Sequence, residues 1–286
     1  MQDRPNDSGL RVVTNPRPIA SNDPFDALYA AVRKATGLDL HEYKQDQLRR
    51  RLLSWAEARG DRDLGAMGAR LAKNPAEMRE LFDRVSINVS ELYRNPERWK
   101  ELETRVLPSL AKRAPTLKCW SAGCSFGAEA HTLASILTVG GYRHSIIGTD
   151  IDEDALATAR AGRFDAASMR GVPKDVRDKY FTPAGAEWQA GSAIRQNLRF
   201  RPGNLLEDRF DKDYDLILCR NVVIYFTDPA KDRLYRRFYE ALKPGGVLFV
   251  GGTERINDAK GIGYESPLPF FYQKPVGAQQ AWRNAS

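Results

Sequence analysis

The chain has 286 residues, with 44 Lys and Arg against 37 Asp and Glu, and the resulting net charge of +7 suits an acidic partner surface without naming one. It is 42% hydrophobic, enough for a core without disulfide or metal staples, and no apolar run approaches the roughly 20 residues of a membrane span. Cys119, Cys124 and Cys219 lack the spacing of a disulfide framework or zinc site, and His41, His131 and His144 fall in separate segments, so small buried thiols and no metal are expected.

In chain order, residues 1–22 are polar and Pro-rich, lack the apolar core of a signal peptide, and read as the flexible tail of a cytoplasmic protein. Residues 23–83 carry a helical pattern with no strand signal. Within it LDLHEYKQDQLRRRLLSWAEARG places Leu48, Leu52, Leu53 and Ala56 on one stripe, and Gly60 supplies a stop. Arg49, Arg50 and Arg51 point mostly away from that stripe, as a solvated face or as a docking surface for an acidic partner. Residues 84–115 read as a connecting segment.

From about Lys118 apolar runs alternate with helical stretches: LKCWSAGC, HSIIGTDID, LRFRPGNLL, YDLILCRNVVIYF, GGVLFVGGTE and FFYQK. This alternation predicts an α/β domain over 116–275, a doubly wound, mostly parallel sheet with helices on both faces. Between Tyr180 and Arg199, turn residues and short alternating stretches predict either a small antiparallel excursion or an irregular loop. Residues 276–286 read as a second tail.

Ligands of such sheets bind outside the carboxyl ends of the strands, which directs attention to four places. The turn WSAGCSFGAEAHTLA has small residues, Gly123 among them, that let the backbone approach a ligand, and it matches neither a phosphate loop nor a clean GxGxxG. Glu129 stands in the first turn of the helix that follows, where a carboxylate can meet a cationic group. Asp150 closes the next strand about 20 residues later, where a carboxylate can accept both hydroxyls of a ribose, while Asp152 and Asp154 fit the opening of the following helix. Asn204 ends a third strand, either as a bond to an adenine edge or as an ordinary turn amide. In CRNVVIYF, an Arg and an Asn interrupt an apolar run. If the strand ends near Cys219, then Arg220 and Asn221 face the crevice and Tyr225 follows in the loop above it.

As a set, SINVSELYRNPERW, WSAGCSFGAEAHTLA, GTDIDEDAL, NLLED, DLILCRNVVIYF and ALKPGGVLFVGGTE resemble, in order and spacing, the successive motifs of the CheR family of chemoreceptor glutamate methyltransferases over about residues 25–275. The resemblance implies a small all-helical N-terminal domain joined to a Rossmann-like S-adenosylmethionine-dependent methyltransferase domain with a small β-subdomain, placed at 180–200. It implies methyl transfer to the γ-carboxylate of receptor glutamates in chemotaxis-type adaptation. The family's cofactor contacts fall on Asn88, Ser90, Arg94, Gly123, Glu129, Asp150, Asn204, Leu205, Arg220 and Asn221, and Arg94 and Tyr225 match the residues nearest the transferred methyl. The family's GEEPYS turn reads GAEAHT here, so Ala128, Ala130 and His131 depart from the pattern while Glu129 is kept, and Ser90 stands where Thr is frequent.

The implied partner is the helical bundle of a methyl-accepting chemoreceptor. The basic N-terminal helices would dock it, and a short, Gly-poor stretch after Phe181 points to recruitment without a C-terminal pentapeptide tether. A monomer is the default expectation. Two rivals remain open on sequence alone. A nucleic-acid methyltransferase suits the charge, but CRNVVIYF lacks the proline of the usual amino-methylating loop. A non-catalytic sensor of the cofactor suits the altered GAEAHT turn.

Overall fold

The protein's structure, a computed structural model, describes residues 23–85 and 90–277. Both expected tails, apart from Val276 and Gly277, and the candidate Asn88 lie outside the described residues.

Four helices open the chain: α1 (Asp26–Thr36), α2 (Gln45–Ala58), α3 (Leu64–Leu71) and α4 (Pro75–Val85). Their ends follow local chemistry. Gly37 ends α1 in the left-handed conformation (φ 74°), and the Asp63 carboxylate caps the Gly65 and Ala66 amides of α3. Leu28, Tyr29, Leu52, Met67 and Leu71 form the core of this bundle. On α2, Leu48, Leu52 and Ala56 are buried as the periodicity predicts, but Leu53 is 50% exposed and Trp55 takes its place. The reason is geometric: Leu53 lies about 100° around the helix from Leu52, whereas Trp55, three residues on, returns to the same face.

Two further helices, α5 (Pro96–Glu101) and α6 (Leu107–Ala111), are joined by a π-helical turn over Leu102–Val106. Pro108 has no N–H to continue the α-helical ladder, which accounts for the widened turn before it. Read from sequence as a connection, this rod buries Trp99, Leu102, Leu107 and Leu110 in the core beneath the main sheet.

The alternating half consists of β1 (Leu117–Ala122), α7 (Ala128–Val139), β2 (His144–Asp150), α8 (Glu153–Ala161), β3 (Arg163–Asp165), α9 (Lys174–Tyr180), β4 (Phe181–Ala184), β5 (Glu187–Ala190), α10 (Ser192–Arg195), β6 (Leu198–Pro202), β7 (Tyr214–Cys219), α11 (Asp228–Ala241), β8 (Leu242–Val250), α12 (Ala259–Ile262), β9 (Glu265–Leu268) and β10 (Phe271–Gln273). Seven strands form one sheet in the order β6-β2-β1-β7-β8-β10-β9. The first five run parallel, β10 runs antiparallel to both β8 and β9, and β9 therefore points the same way as the first five. Every residue of β7 is buried, the continuous apolar pattern of a strand covered on both faces.

The excursion over 180–199 is a second, antiparallel sheet in the order β3-β5-β4. Its third strand, β3, comes from outside that stretch, and three residues are too few to show alternation. Residues 198–200, included in the expected β-subdomain, belong instead to the edge strand β6 (Leu198–Pro202) of the main sheet.

The helical bundle rests on the carboxyl edge of the main sheet. The Lys44 amide donates to the Tyr225 carbonyl at 2.9 Å, the Thr227 amide donates to the Glu42 carbonyl at 2.8 Å, and the Tyr43 and Phe226 rings meet edge to face at 5.1 Å.

Candidate active site

Turns at the carboxyl ends of β1, β2, β6 and β7 enclose a cleft, closed on a fifth side by residues 90–95 and on a sixth by the bundle. The turn after β1 is built on glycine. At Gly123 (φ 74°) a Cβ would come within 2.6 Å of the Val222 side chain, and at Gly127 (φ 85°) it would come within 2.8 Å of the Ala159 Cβ. The amides of Gly123 and Cys124 donate to the Thr149 carbonyl at 2.8 and 2.9 Å, which ties this turn to β2.

Two carboxylates meet at that junction. Asp150 accepts the Ser125 amide on Oδ2 at 2.7 Å and the Asp152 amide on Oδ1 at 3.0 Å, and burial raises its pKa while these bonds pull it back. Glu129, in the first turn of α7, accepts the Ser121 hydroxyl at 2.7 Å and lies 3.8 Å from the Arg220 guanidinium. Burial pushes its carboxyl up to about 7, with Arg220 and Ser121 opposing the shift.

Arg220 does more than face the crevice. Its guanidinium lies 5.1 Å from the Trp99 ring centroid and 4.6 Å from that of Phe249, and it donates to the Arg94 carbonyl at 3.1 Å and to Asn95 Oδ1 at 3.2 Å. The Trp99 indole donates to the same Arg94 carbonyl at 3.0 Å. Arg94 is flanked by two non-glycine residues in left-handed conformation, Tyr93 (φ 58°) and Asn95 (φ 59°), and Ser125 (φ 47°) and Asn221 (φ 61°) add two more at the cleft. Such strain persists only where surrounding bonds over-determine it, and it concentrates at functional sites.

Beyond Asn221, the short 3₁₀ turn Val223–Tyr225 brings Tyr225 to the cleft, with the Arg51 guanidinium of α2 5.8 Å from its ring centroid. Burial raises the Tyr225 pKa, and the Arg51 and Arg94 charges act against it. Asn204 uses its side chain locally: Oδ1 accepts the Leu206 amide at 3.0 Å and Nδ2 donates to the Gly37 carbonyl at 3.4 Å. That is a turn amide which also ties the two halves of the chain together.

The cleft has a volume of about 160 Å³ and is lined by Ser90, Arg94, Gly123, Glu129, Asp150, Asn204, Leu205, Arg220, Asn221 and Tyr225, so every described candidate for cofactor binding or catalysis comes together in one place. Sequence reasoning missed Leu38 and Tyr43, which bring a wall of the bundle to the cleft, and also Cys124, Val222 and Phe226. GLDLHEY has no spacing that marks it as more than bundle, and burial pushes the Tyr43 hydroxyl far above its ordinary range. One buried carboxylate with lone pairs left for hydroxyl donors, a second suited to a cation, and apolar walls from Leu38, Leu205 and Phe226 fit a nucleoside with a cationic tail.

Comparison with known proteins identifies the family. Residues 88–267 match the family model for the CheR methyltransferase SAM-binding domain, and residues 23–86 match that for the CheR methyltransferase all-alpha domain. A chemotaxis protein methyltransferase of Listeria monocytogenes is 37% identical over 254 residues, covering 87% of this chain and 97% of its own. Chemotaxis protein methyltransferase 1 of Pseudomonas aeruginosa is 32% identical over 253 residues, covering 84% and 92%. Among solved structures, a SAM-dependent methyltransferase of Methanosarcina mazei is 21% identical, with a TM-score of 0.32 over 48% of this chain and 52% of its own. The chain therefore belongs to the CheR family of S-adenosylmethionine-dependent chemotaxis methyltransferases.

Proposed function

We propose that the protein esterifies the γ-carboxylate of glutamates on the cytoplasmic helical bundle of a methyl-accepting chemoreceptor. The observation that carries this reading is the pair of cations that act on Tyr225, a residue of the cleft lining: Arg94, which lines the same cleft, and Arg51 of the bundle, 5.8 Å from the Tyr225 ring centroid. An arrangement of that kind suits an incoming carboxylate.

S-adenosylmethionine, when bound, supplies a methyl group already activated on a sulfonium. A glutamate side chain with an ordinary pKa of about 4.3 is ionised at neutral pH, so this nucleophile needs no general base. The protein's work is then placement and exclusion of water, and well-oriented reactants gain on the order of 7–11 kcal/mol. In this reading Asp150 takes the ribose hydroxyls, Glu129 meets the ammonium of the methionine part, and Asn204 and Leu205 flank the adenine. Ser90, Gly123, Arg220 and Asn221 complete the cradle, and Arg94 and Tyr225 orient the carboxylates near the methyl.

The same reading takes residues 23–83 as the receptor-docking domain, 84–115 as a segment carrying part of the active site, and 116–275 as the methyltransferase domain. Of the run Arg49–Arg51, which this reading takes to docking, Arg49 bonds to Asp23 and lies 4.7 Å from the Phe25 ring centroid, Arg50 is exposed, and Arg51 lies 5.8 Å from the Tyr225 ring centroid. A two-residue turn, Gly185-Ala186, joins β4 to β5, and so short a hairpin favours recruitment of the receptor without a pentapeptide tether.

The test is transfer of labelled methyl to membranes containing the host's chemoreceptors, followed by mild base. Base-labile label released as methanol is expected, with a large loss of turnover in Arg94→Ala and Tyr225→Phe at nearly unchanged melting temperature. Base-stable label would overturn the carboxyl assignment, and equal losses of stability and turnover would overturn the two roles.

A further inference from the structure

Glu254 stands behind the cleft, on the loop after β8, and only 2% of it is exposed. Its Oε2 accepts the amides of Gly251 at 2.7 Å and Asn221 at 2.8 Å, and its Oε1 accepts those of Val222 at 3.0 Å and Val223 at 3.1 Å. Three successive N–H groups converging on one carboxylate make an internal anion nest, and the run begins at Asn221 in its left-handed conformation (φ 61°). The fit is close: a Cβ at Gly251 would lie 2.6 Å from Glu254 Oε2 and 2.9 Å from the Asn221 nitrogen.

Burying a carboxylate is unfavourable unless its oxygens are fully hydrogen-bonded, and a sheet edge is held equally well by an apolar side chain. What an apolar side chain would not supply is the shape of the loop. Without an acceptor, the three amides at the start of the turn to Tyr225 would be left without their partner.

We propose that Glu254 is a positioning residue for methyl transfer: by tying the Asn221–Tyr225 turn to the end of β8, it holds Asn221 and Tyr225 at the cleft. It touches neither substrate nor cofactor and acts through those two residues. The inference rests on the methyl-transfer reading above, so its test includes a measurement that needs no receptor.

Glu254→Gln keeps the shape but replaces one acceptor oxygen with an amide group that faces two N–H donors. By hydrogen exchange, the amides of residues 221–225 are expected to lose protection while those of β7 and β8 keep theirs. Turnover is expected to fall about 10²-fold, the scale for displacing reacting groups by roughly 1 Å, while affinity for S-adenosylhomocysteine changes much less. Glu254→Asp, which keeps the charge on a shorter arm, should recover part of both signals.

Unchanged turnover in Glu254→Gln well below its melting temperature would overturn the proposal, as would a loss that merely follows the folded fraction. If the Gln variant does not fold, the Asp variant decides in the same way: reduced turnover with β7 and β8 protected supports the role, and full turnover refutes it. Were the methyl-transfer reading itself wrong, the unaltered protein would lack turnover too, and the exchange result would stand apart.

Discussion

Glu129 and Arg220 form a buried pair of opposite charge, 3.8 Å apart, in a site where desolvation acts against both. Guanidinium stays charged across the accessible pH range, so the carboxyl is the group that titrates, near 7. A ligand ammonium selects the ionised form. Affinity for S-adenosylhomocysteine should therefore rise with pH through neutrality, by up to about tenfold per pH unit on the acid side, with release of up to about one proton. Calorimetry in buffers of different ionisation enthalpy would show the release, and Glu129→Gln should flatten the profile; a flat profile in the unaltered protein would separate Glu129 from the ligand's cation. The linked stability runs the other way. A carboxyl whose pKa rises from 4.5 unfolded to about 7 folded favours the ligand-free fold below 4.5, and this contribution is lost as pH climbs to about 7.

The turn between β1 and α7 is the element on which the cleft depends most directly. Its glycines were legible as a close backbone approach, but Val222, which makes Gly123 obligatory, arrives from a loop about 100 residues later in the chain. Gly123→Ala combines a left-handed backbone, costing roughly 1–2 kcal/mol, with a contact that pushes the Val222 turn outward. It should lower the melting temperature and weaken S-adenosylhomocysteine binding by about tenfold or more, read by thermal shift with and without ligand. Normal affinity with reduced stability would mean that the turn supports the fold and not the ligand. Other elements were partly hidden for the same kind of reason. β3 has only three residues, and the rod of α5 and α6 carries no pattern that says which core it joins.

At the scale of the molecule, two halves meet across Tyr225. The Glu42 and Lys44 backbone brackets the Tyr225–Thr227 segment, Arg233 pairs with Glu42, and Asn204 reaches Gly37. α2 thereby presents Arg51 at the cleft while Arg50 remains exposed. If this face receives an acidic helix, then Arg50→Glu with Arg51→Glu should slow receptor methylation several-fold and weaken its dependence on salt, since exposed charges are screened beyond about 8 Å at physiological ionic strength. Cofactor affinity should change little, and an unchanged rate and salt slope would remove α2 from docking.

The sequence by itself determined the α/β alternation, the strand ends and the acids and amides that stand on them, because periodicity, glycine turns and strand-end position are local properties. It also placed Arg220 and Asn221 beyond the end of a buried strand, where the structure has them. Only the tertiary structure decided what those residues hold. Arg220 grips the Arg94 turn, Glu254 gathers the amides of Asn221–Val223, and Tyr43 closes the cleft from another domain. Each of these contacts joins residues tens to more than a hundred positions apart. No spacing along the chain encodes them, and they exist only once the sheet has brought the loops to one edge.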